Sequence, residues 1–321
     1  MTKLAISFIV MDDFKNLMAA LESLQRTTQT PHQVYVVVNS RLGAQDPQIP
    51  PLKAAFPEVE LMINAQPLGF ATNHNQVMRR ATAEYIALLN DDIILHAGAL
   101  DTLVAFLDQN PQVGLVGPQL YNTDGTPQVS VYSEPRLFRA IYKISGLAML
   151  THQRSAVRHW LQKLGIEQVF RVESLKANGT TRCVDTVKGA VMVVRRTTYA
   201  AVGLMDETTM AYGEEPDWHL RIREAGWYVM TVTEAGVTHL GQGQARLRIQ
   251  GPLLVEDRRA ILYFFLKHRP RWEAHLIRSA IVFFHTLWSL LLFPVAPRRG
   301  RYHWQTAQMG LRWVPKPRAA E

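Results

Sequence analysis

The chain has 321 residues, 47% of them hydrophobic and 19% charged, enough for one large or two modest globular domains with a real core. Its formal net charge of +8 and sequence pI of about 9.7 point to an anionic partner: nucleic acid, acidic lipid or a phosphorylated substrate. The single cysteine, Cys183, excludes an internal disulfide framework and fits a reducing compartment. It is expected to be a small buried apolar residue.

Leu4–Val10 is expected to be a first buried strand rather than a signal peptide. Only eight mostly apolar residues, Leu4 to Met11, separate Lys3 from Asp12-Asp13, and no small-residue cleavage site follows. Leu17, Leu21 and Leu24 share one helical face, and Val34–Val38 is a β-branched strand. Leu61–Ile63 then predicts a strand, Asn73–Ala81 a helix, Tyr85–Leu89 a strand, Ala99–Asp108 a helix and Val113–Val116 a strand. Strands separated by helices of this length imply βαβ units and a largely parallel sheet, with ligands beyond the carboxyl ends of its strands. Asn39-Ser40, the Gly69-Phe70 loop and Asn90–Asp92 all fall at strand-to-helix positions and converge on one expected site.

Within that pattern, Leu88-Leu89-Asn90-Asp91-Asp92-Ile93-Ile94-Leu95 runs an apolar strand into two carboxylates. Such carboxylates are costly unless water, a partner or a cation meets them. Magnesium and manganese take hard oxygen ligands, often one or two carboxylates completed by substrate phosphates. A metal-diphosphate site at Asn90, Asp91 and Asp92 accounts for the run. So does a solvated turn or a helix N-cap ahead of Ala97–Leu100.

Past Pro118 the pattern changes. Asn122-Thr123-Asp124-Gly125 is a turn signal. Residues 136–176 hold eight Lys or Arg against Glu167 and Glu173, as expected for a solvated helical insertion or a basic surface for acidic lipid or a phosphorylated acceptor. Val184–Val194 predicts a long apolar strand interrupted by Lys188-Gly189. A dense acidic run follows, Asp206-Glu207 and then Glu214-Glu215-Pro216-Asp217, with Leu220, Ile222 and Ala225 starting an amphipathic helix. Asp217 suits the dipole at the first turn of that helix. Adjacent Glu214 and Glu215 raise each other's pKa, which suits a general base for a hydroxyl nucleophile. Val237–Gly243 places His239 at a strand end beside glycines, within reach of a metal or a phosphate.

Leu276–Phe293 is an 18-residue apolar run, short for a membrane span. Arg278, Ser279, His285, Thr286 and Ser289 occupy about a third of its helical wheel. Arg269, Arg271, Arg298, Arg299 and Arg301 flank it. A helix lying in an anionic membrane interface fits this pattern, as does one packing on the catalytic domain or a dimer partner. A full span fits least, because Arg278 and His285 would sit unpaired in hydrocarbon.

The order of these motifs resembles the family 2 glycosyltransferases, particularly their rhamnosyltransferase-like branch. The family's N-L-G-F-A-x-x-x-N run is matched across Gln66-Pro67-Leu68-Gly69-Phe70-Ala71-Thr72-Asn73-His74-Asn75. Its L-L-N-x-D is matched by Leu88 to Asp92, and its G-A-x-x-x-x-R-R ahead of G-x-x-D-E by Gly189-Ala190, Arg195-Arg196, Gly203 and Asp206-Glu207. Its E-D-x-D-L-x-x-R is matched by Glu214 to Arg221 and its V-x-H-x-G by Val237 to Gly241, so the resemblance covers roughly residues 4–245. Two positions depart. The usual V-D-N, whose Asp contacts the nucleotide base, is here Val38-Asn39-Ser40 after Val37. The usual E-D, whose Asp is the catalytic base, is here Glu214-Glu215.

The resemblance implies an α/β glycosyltransferase A fold, a Rossmann-like, mixed but mainly parallel sheet flanked by helices, with a C-terminal helical extension. It implies a nucleotide-sugar half over 1–118, an acceptor-binding and catalytic half over 119–250 with a helical insertion at about 136–180, and a helical, membrane-associated segment over 251–321. The implied reaction is inverting transfer from a nucleotide-diphosphate sugar, rhamnose on deoxythymidine diphosphate first and uridine-linked hexoses next. The acceptor is a cell-surface glycan or a lipid-linked hydroxyl. Glu215 would be the base, with Glu214 and Asp217 around it. Asp92 and His239 would hold magnesium or manganese. Asn39, Gly69, Phe70, Asn75, Asn90, Asp91 and Arg221 would line the donor side, Arg221 also holding the acidic loop. The implied place is the cytoplasmic face of the cell membrane, with a homodimer as a further expectation. A non-catalytic nucleotide-sugar- or carbohydrate-binding relative is the alternative. No nucleic-acid recognition motif appears.

Overall fold

The computed structural model describes residues 2–147, 180–241 and 251–315. They divide into two compact units, one of 2–133, 180–210 and 215–241, the other of 134–147, 211–214 and 251–315. In chain order the first runs β1 (Leu4–Val10), α1 (Lys15–Thr27), β2 (His32–Val38), α2 (Ile49–Ala55), β3 (Glu60–Ile63), α3 (Phe70–Arg80), β4 (Tyr85–Asn90), β5 (Ile93–Leu95), α4 (Ala99–Gln109), β6 (Val113–Tyr121) and β7 (Val131–Tyr132). After α5 (Leu137–Ser145), part of the second unit, come β8 (Arg182–Cys183), β9 (Thr186–Val187), β10 (Val191–Arg195), α6 (Arg196–Val202), α7 (Glu214–Glu224) and β11 (Tyr228–His239). Helices α8 (Pro252–His268), α9 (Arg271–Leu292) and α10 (Pro297–Arg312) complete the second unit.

The main sheet has the order β3-β2-β1-β4-β10-β6-β11-β5, with β8 added on β11. The first four strands are parallel, β10 is antiparallel to both its neighbours, β11 is parallel to β6, and β5 is antiparallel to β11. Side chains alternate between faces along a strand. Leu4, Ile6, Phe8 and Val10 therefore join one core with Leu17, Leu21 and Leu24 of α1. Ala5 joins the opposite core with Val77, Met78, Trp218 and Ile222. Burial on both faces is why these strands read as nearly continuous apolar runs.

Several expectations need correcting. The stretch Val184–Val194 is not one strand: β9 pairs with β7 in a separate two-stranded sheet, and β10 enters the main sheet after a turn at Gly189-Ala190. Asn90–Asp92 does not cap a helix. It leads into β5, and α4 starts later, behind Gly98 at φ +68°, a left-handed conformation that glycine adopts cheaply. Helix α3 begins at Phe70, three residues before the apolar pattern suggested, because Gly69 caps it. Cys183 is exposed, on the short strand β8 at the sheet's periphery. Of the basic insertion, α5 is seen, and residues 148–179 lie outside the described residues, as do Gln242 and Gly243.

In the helical unit, α8, α9, α10 and α5 bury Leu254, Leu262, Phe265, Ile277, Ile281 and Met309. Gly310 permits close approach of α10 to α9, since a Cβ there would lie 2.9 Å from Ile281 Cγ2. Of the polar third of α9, Arg278, His285 and Ser289 turn inward, while Ser279 is exposed. Arg278 donates to the carbonyl oxygens of Gly310 (2.6 Å) and Trp313 (3.2 Å), and Ser289 Oγ to that of Gly300 (2.9 Å). His285 lies 3.2 Å from Arg258 Nε and 2.8 Å from His303 Nδ1.

Candidate active site

The site is assembled by strand pairing. Register places His239, the last residue of β11, opposite Ile93, the first of β5, and so beside Asp92. The Leu240 N–H donates to the Asp92 carbonyl at 2.8 Å. His239 Nε2 stands 3.3 Å from Asp92 Oδ1, which is buried and makes no aligned hydrogen bond among the described residues. Burial alone would raise the Asp92 pKa. The imidazole of His239 and the charge of Lys188 outweigh it and hold the carboxyl below its ordinary range. Asp91 moves oppositely: burial, then the charges of Asp92 and Asp13, push it up to about 7.

His239 is held from behind. Its Nδ1 lies 2.7 Å from Gln128 Oε1, and Lys188 Nζ lies 2.5 Å from that oxygen and 3.1 Å from Nδ1. Gln128 Nε2 donates to Asn122 Oδ1 at 2.9 Å, which turns its Oε1 toward the ring. An Nε2–H directed at Asp92 is what lowers that carboxyl's pKa. In the other tautomer, with Nδ1–H donating to Gln128 Oε1, Nε2 and the Asp92 oxygen would be two facing acceptors, an arrangement that fits a bound cation. Among the described residues no three His, Cys, Asp or Glu side chains group to hold a metal, so any ion there needs ligands from substrate as well. Gly241 completes the fit. A Cβ there would fall 2.2 Å from Asp92 Oδ2 and 2.9 Å from His239 Nε2.

The turn after Lys188 joins this cluster to the acidic one. The Asn90 N–H donates to the Ala190 carbonyl at 3.0 Å, tying the end of β4 to the turn. At Gly189 a Cβ would lie 2.4 Å from Glu215 Oε1, so the carboxylate of Glu215 rests over the glycine. Lys188 and Gly189 thus touch the His239 and Glu215 sides in succession. Glu214 is buried at the start of α7.

Other expected site residues have structural partners. Asp217 accepts from Arg221 Nε at 3.0 Å, and Arg221 also donates to the carbonyls of Val202 (2.7 Å) and Leu204 (2.8 Å). Arg221 therefore ties α7 to the segment ahead of Asp206-Glu207. Asn75 donates to the Met205 carbonyl and to Glu207 Oε1, each at 2.8 Å. Asn39, 3% exposed, donates to the Leu68 carbonyl and accepts from the Leu68 N–H and Asn64 Nδ2, clamping the loop before α3. Gly69 approaches the Met210 carbonyl, where a Cβ would lie 3.0 Å away, and Phe70 N–H donates to that carbonyl at 3.1 Å. These side chains shape the loops of the site from inside. Lys188 and Gln128 were not foreseen. The break in an apolar strand signalled the first, and nothing in the sequence signalled the second.

The family model described as "Glycosyltransferase like family 2" matches residues 12–250. The chain belongs to this family. The glycosyltransferase is 23% identical over 267 residues to an N-acetylglucosaminyl-diphospho-decaprenol L-rhamnosyltransferase of Mycobacterium tuberculosis, covering 80% of this chain and 82% of that protein. Among solved structures, a mannosyltransferase from Pyrobaculum calidifontis with GDP-mannose and Mn2+ superposes with a TM-score of 0.55 at 14% identity, covering 96% of this chain and 87% of that one. GalNAc-T7 with UDP, GalNAc and Mn2+ gives a TM-score of 0.53 at 13% identity over 75% of this chain and 44% of that one. At these identities the structures establish the shared glycosyltransferase A fold, a mainly parallel sheet flanked by helices.

Proposed function

We propose that this glycosyltransferase moves a sugar, with inversion, from a nucleoside-diphosphate donor to a hydroxyl of a lipid-linked or cell-surface glycan acceptor. The observation that carries this reading is the placing of the Glu215 carboxylate over Gly189, one residue from the Lys188 that contacts His239. Glu215 accepts the proton of the acceptor hydroxyl. As that proton leaves, the acceptor oxygen bonds to the anomeric carbon, and the bond from that carbon to the diphosphate oxygen breaks on the opposite face. Asp217 is not free for this task, because Arg221 holds it.

The donor end is assigned to Asn90, Asp91 and Asp92 with the Asn39 and Gly69-Phe70 loops behind them. Asp92 and His239 fit a divalent cation, Mg2+ or Mn2+, which supplies neutralisation of the charge on the leaving diphosphate. Lys188 and Gln128 hold the His239 ring in place. Rhamnose is proposed as the sugar and a polyprenyl-type lipid as the acceptor carrier, supported by the similarity to the mycobacterial rhamnosyltransferase. Such an acceptor places the enzyme at the inner face of the cell membrane.

Turnover of dTDP-rhamnose and UDP-hexoses with added manganese, for wild type, Glu215→Gln and Asp92→Asn, tests the reading. Glu215→Gln is expected to bind donor normally and turn over about 10²–10⁴-fold more slowly. Asp92→Asn is expected to lose its manganese response. Near-full turnover in Glu215→Gln, with Asp217→Asn dead, would move the base to Asp217. A wild type that binds nucleotide-sugars without turnover would make the chain a binding relative instead.

A further inference from the structure

Helix α9 of the helical unit turns three bonded polar side chains inward and a stripe of large apolar ones outward. On α9, Trp272, Leu276, Phe283, Leu287, Leu290 and Leu291 are between 43% and 69% exposed. At about 100° per residue they fall within roughly a 100° arc, which Ala280 shares and Glu273 borders. The opposite side of the same helix carries Arg278, His285 and Ser289, each bonded within the unit. In water this arrangement forgoes burial of the apolar arc while spending hydrogen bonds on a buried polar network. Against lipid the apolar arc is buried as well, and the internal bonds leave the inner face of α9 no unmet polar group.

We infer that this arc is a docking surface for an anionic lipid bilayer, with α9 lying flat in the interface. Charge selects this occupant. Residues 251–315 carry ten Lys or Arg against three Asp or Glu. Directly after the arc come exposed Phe293 and Val295, then exposed Arg298, Arg299 and Arg301, and exposed Arg271 stands at the other end. Aromatic and aliphatic groups bordered by arginine complement acidic headgroups over acyl chains, whereas a second copy presents the same positive charge. Helix α9 has 22 residues, about 33 Å at 1.5 Å per residue, and mean hydropathy of 1.4 in its most apolar window. That length would cross a bilayer. Its packing against α10 argues for the flat position, since crossing would draw the exposed Arg298, Arg299, Arg301 and Arg312 along. The inference deepens the proposed function and rests on its membrane-held acceptor.

Pelleting of the full chain with vesicles of phosphatidylcholine, with and without phosphatidylglycerol, tests it. Wild type is expected to pellet with the anionic vesicles and to lose affinity as salt rises. Phe283→Glu with Leu290→Glu, both at exposed sites, is expected to weaken partitioning about tenfold per substitution. The triple variant Arg298→Gln, Arg299→Gln, Arg301→Gln should lose the preference for phosphatidylglycerol. Unchanged thermal melts show that both variants fold. Wild type that fails to pellet, or variants that pellet like wild type, would overturn the inference. So would a wild-type dimer that Phe283→Glu with Leu290→Glu turns into a monomer without any vesicle binding. Turnover of a water-soluble acceptor is read separately. Vesicle binding without turnover counts against the proposed function alone, and turnover without vesicle binding counts against this inference alone.

Discussion

Replacing Gly189 with alanine probes the base without altering it. Gly189 is not among the glycines with positive φ, so the backbone accepts a Cβ there. The added carbon would lie 2.4 Å from Glu215 Oε1. To regain the 3.4 Å of ordinary contact the carboxylate must retreat by about 1 Å. The carboxylate ends a flexible side chain, so the retreat has little effect on stability. Catalysis is less forgiving: a misplacement of about 1 Å costs on the order of 10²-fold in rate. Gly189→Ala should therefore fold and bind donor like wild type while kcat falls about 100-fold. Glu215→Asp on the Gly189→Ala background shortens the acid by one methylene and makes room, so the double variant should recover part of the loss. Steady-state kinetics, donor titration and thermal melts of the three variants and wild type form a double-mutant cycle. Near-wild-type kcat in Gly189→Ala, or an additive cycle, would refute the assignment of Glu215 as base.

The same reasoning extends to three further sites. Gly241→Ala would press a Cβ against Asp92 and His239 and should weaken manganese-dependent donor binding by at least tenfold in calorimetry; unchanged affinity would separate this corner from the cation. Arg221→Ala removes the guanidinium paired with Asp217, whose side chain is 3% exposed, and should cost about 3–5 kcal/mol in urea denaturation; a loss under about 1 kcal/mol would show the pair to be dispensable. His219 is fully buried, and burial, then the charges of Arg223 and Arg221, push its pKa down to about 3. Its unfolded value is about 6.5, so the neutral ring's contribution to stability is complete above that pH and is lost as pH falls toward 3. His219→Leu should therefore flatten the fall in stability between pH 6.5 and 4, and an unchanged slope would exclude His219 as its source.

The sheet was legible because burial on both faces leaves an unmistakable apolar run. Leu4–Val10 was bounded to the residue, and Tyr85–Leu89 fell one residue short of β4. The run Val184–Val194 misled because apolar continuity does not say which sheet a strand joins. The carboxylates of Asn90–Asp92 stood out for their cost at a strand end. The partners of Asn39, Asn75 and Arg221 did not, since hydrogen bonds to distant carbonyls leave no periodic trace.

The sequence by itself determined the alternation of strands and helices, the positions of the acidic motifs and the family they belong to. These follow from local spacing and from which residues tolerate burial. Only the tertiary structure decided that His239 meets Asp92, that Glu215 rests on Gly189 while Arg221 binds Asp217, and that α9 turns Arg278 inward. Each depends on register between strands or on packing between helices far apart in the chain. A helical wheel tells which residues share a face, and only the surrounding elements tell which face is covered.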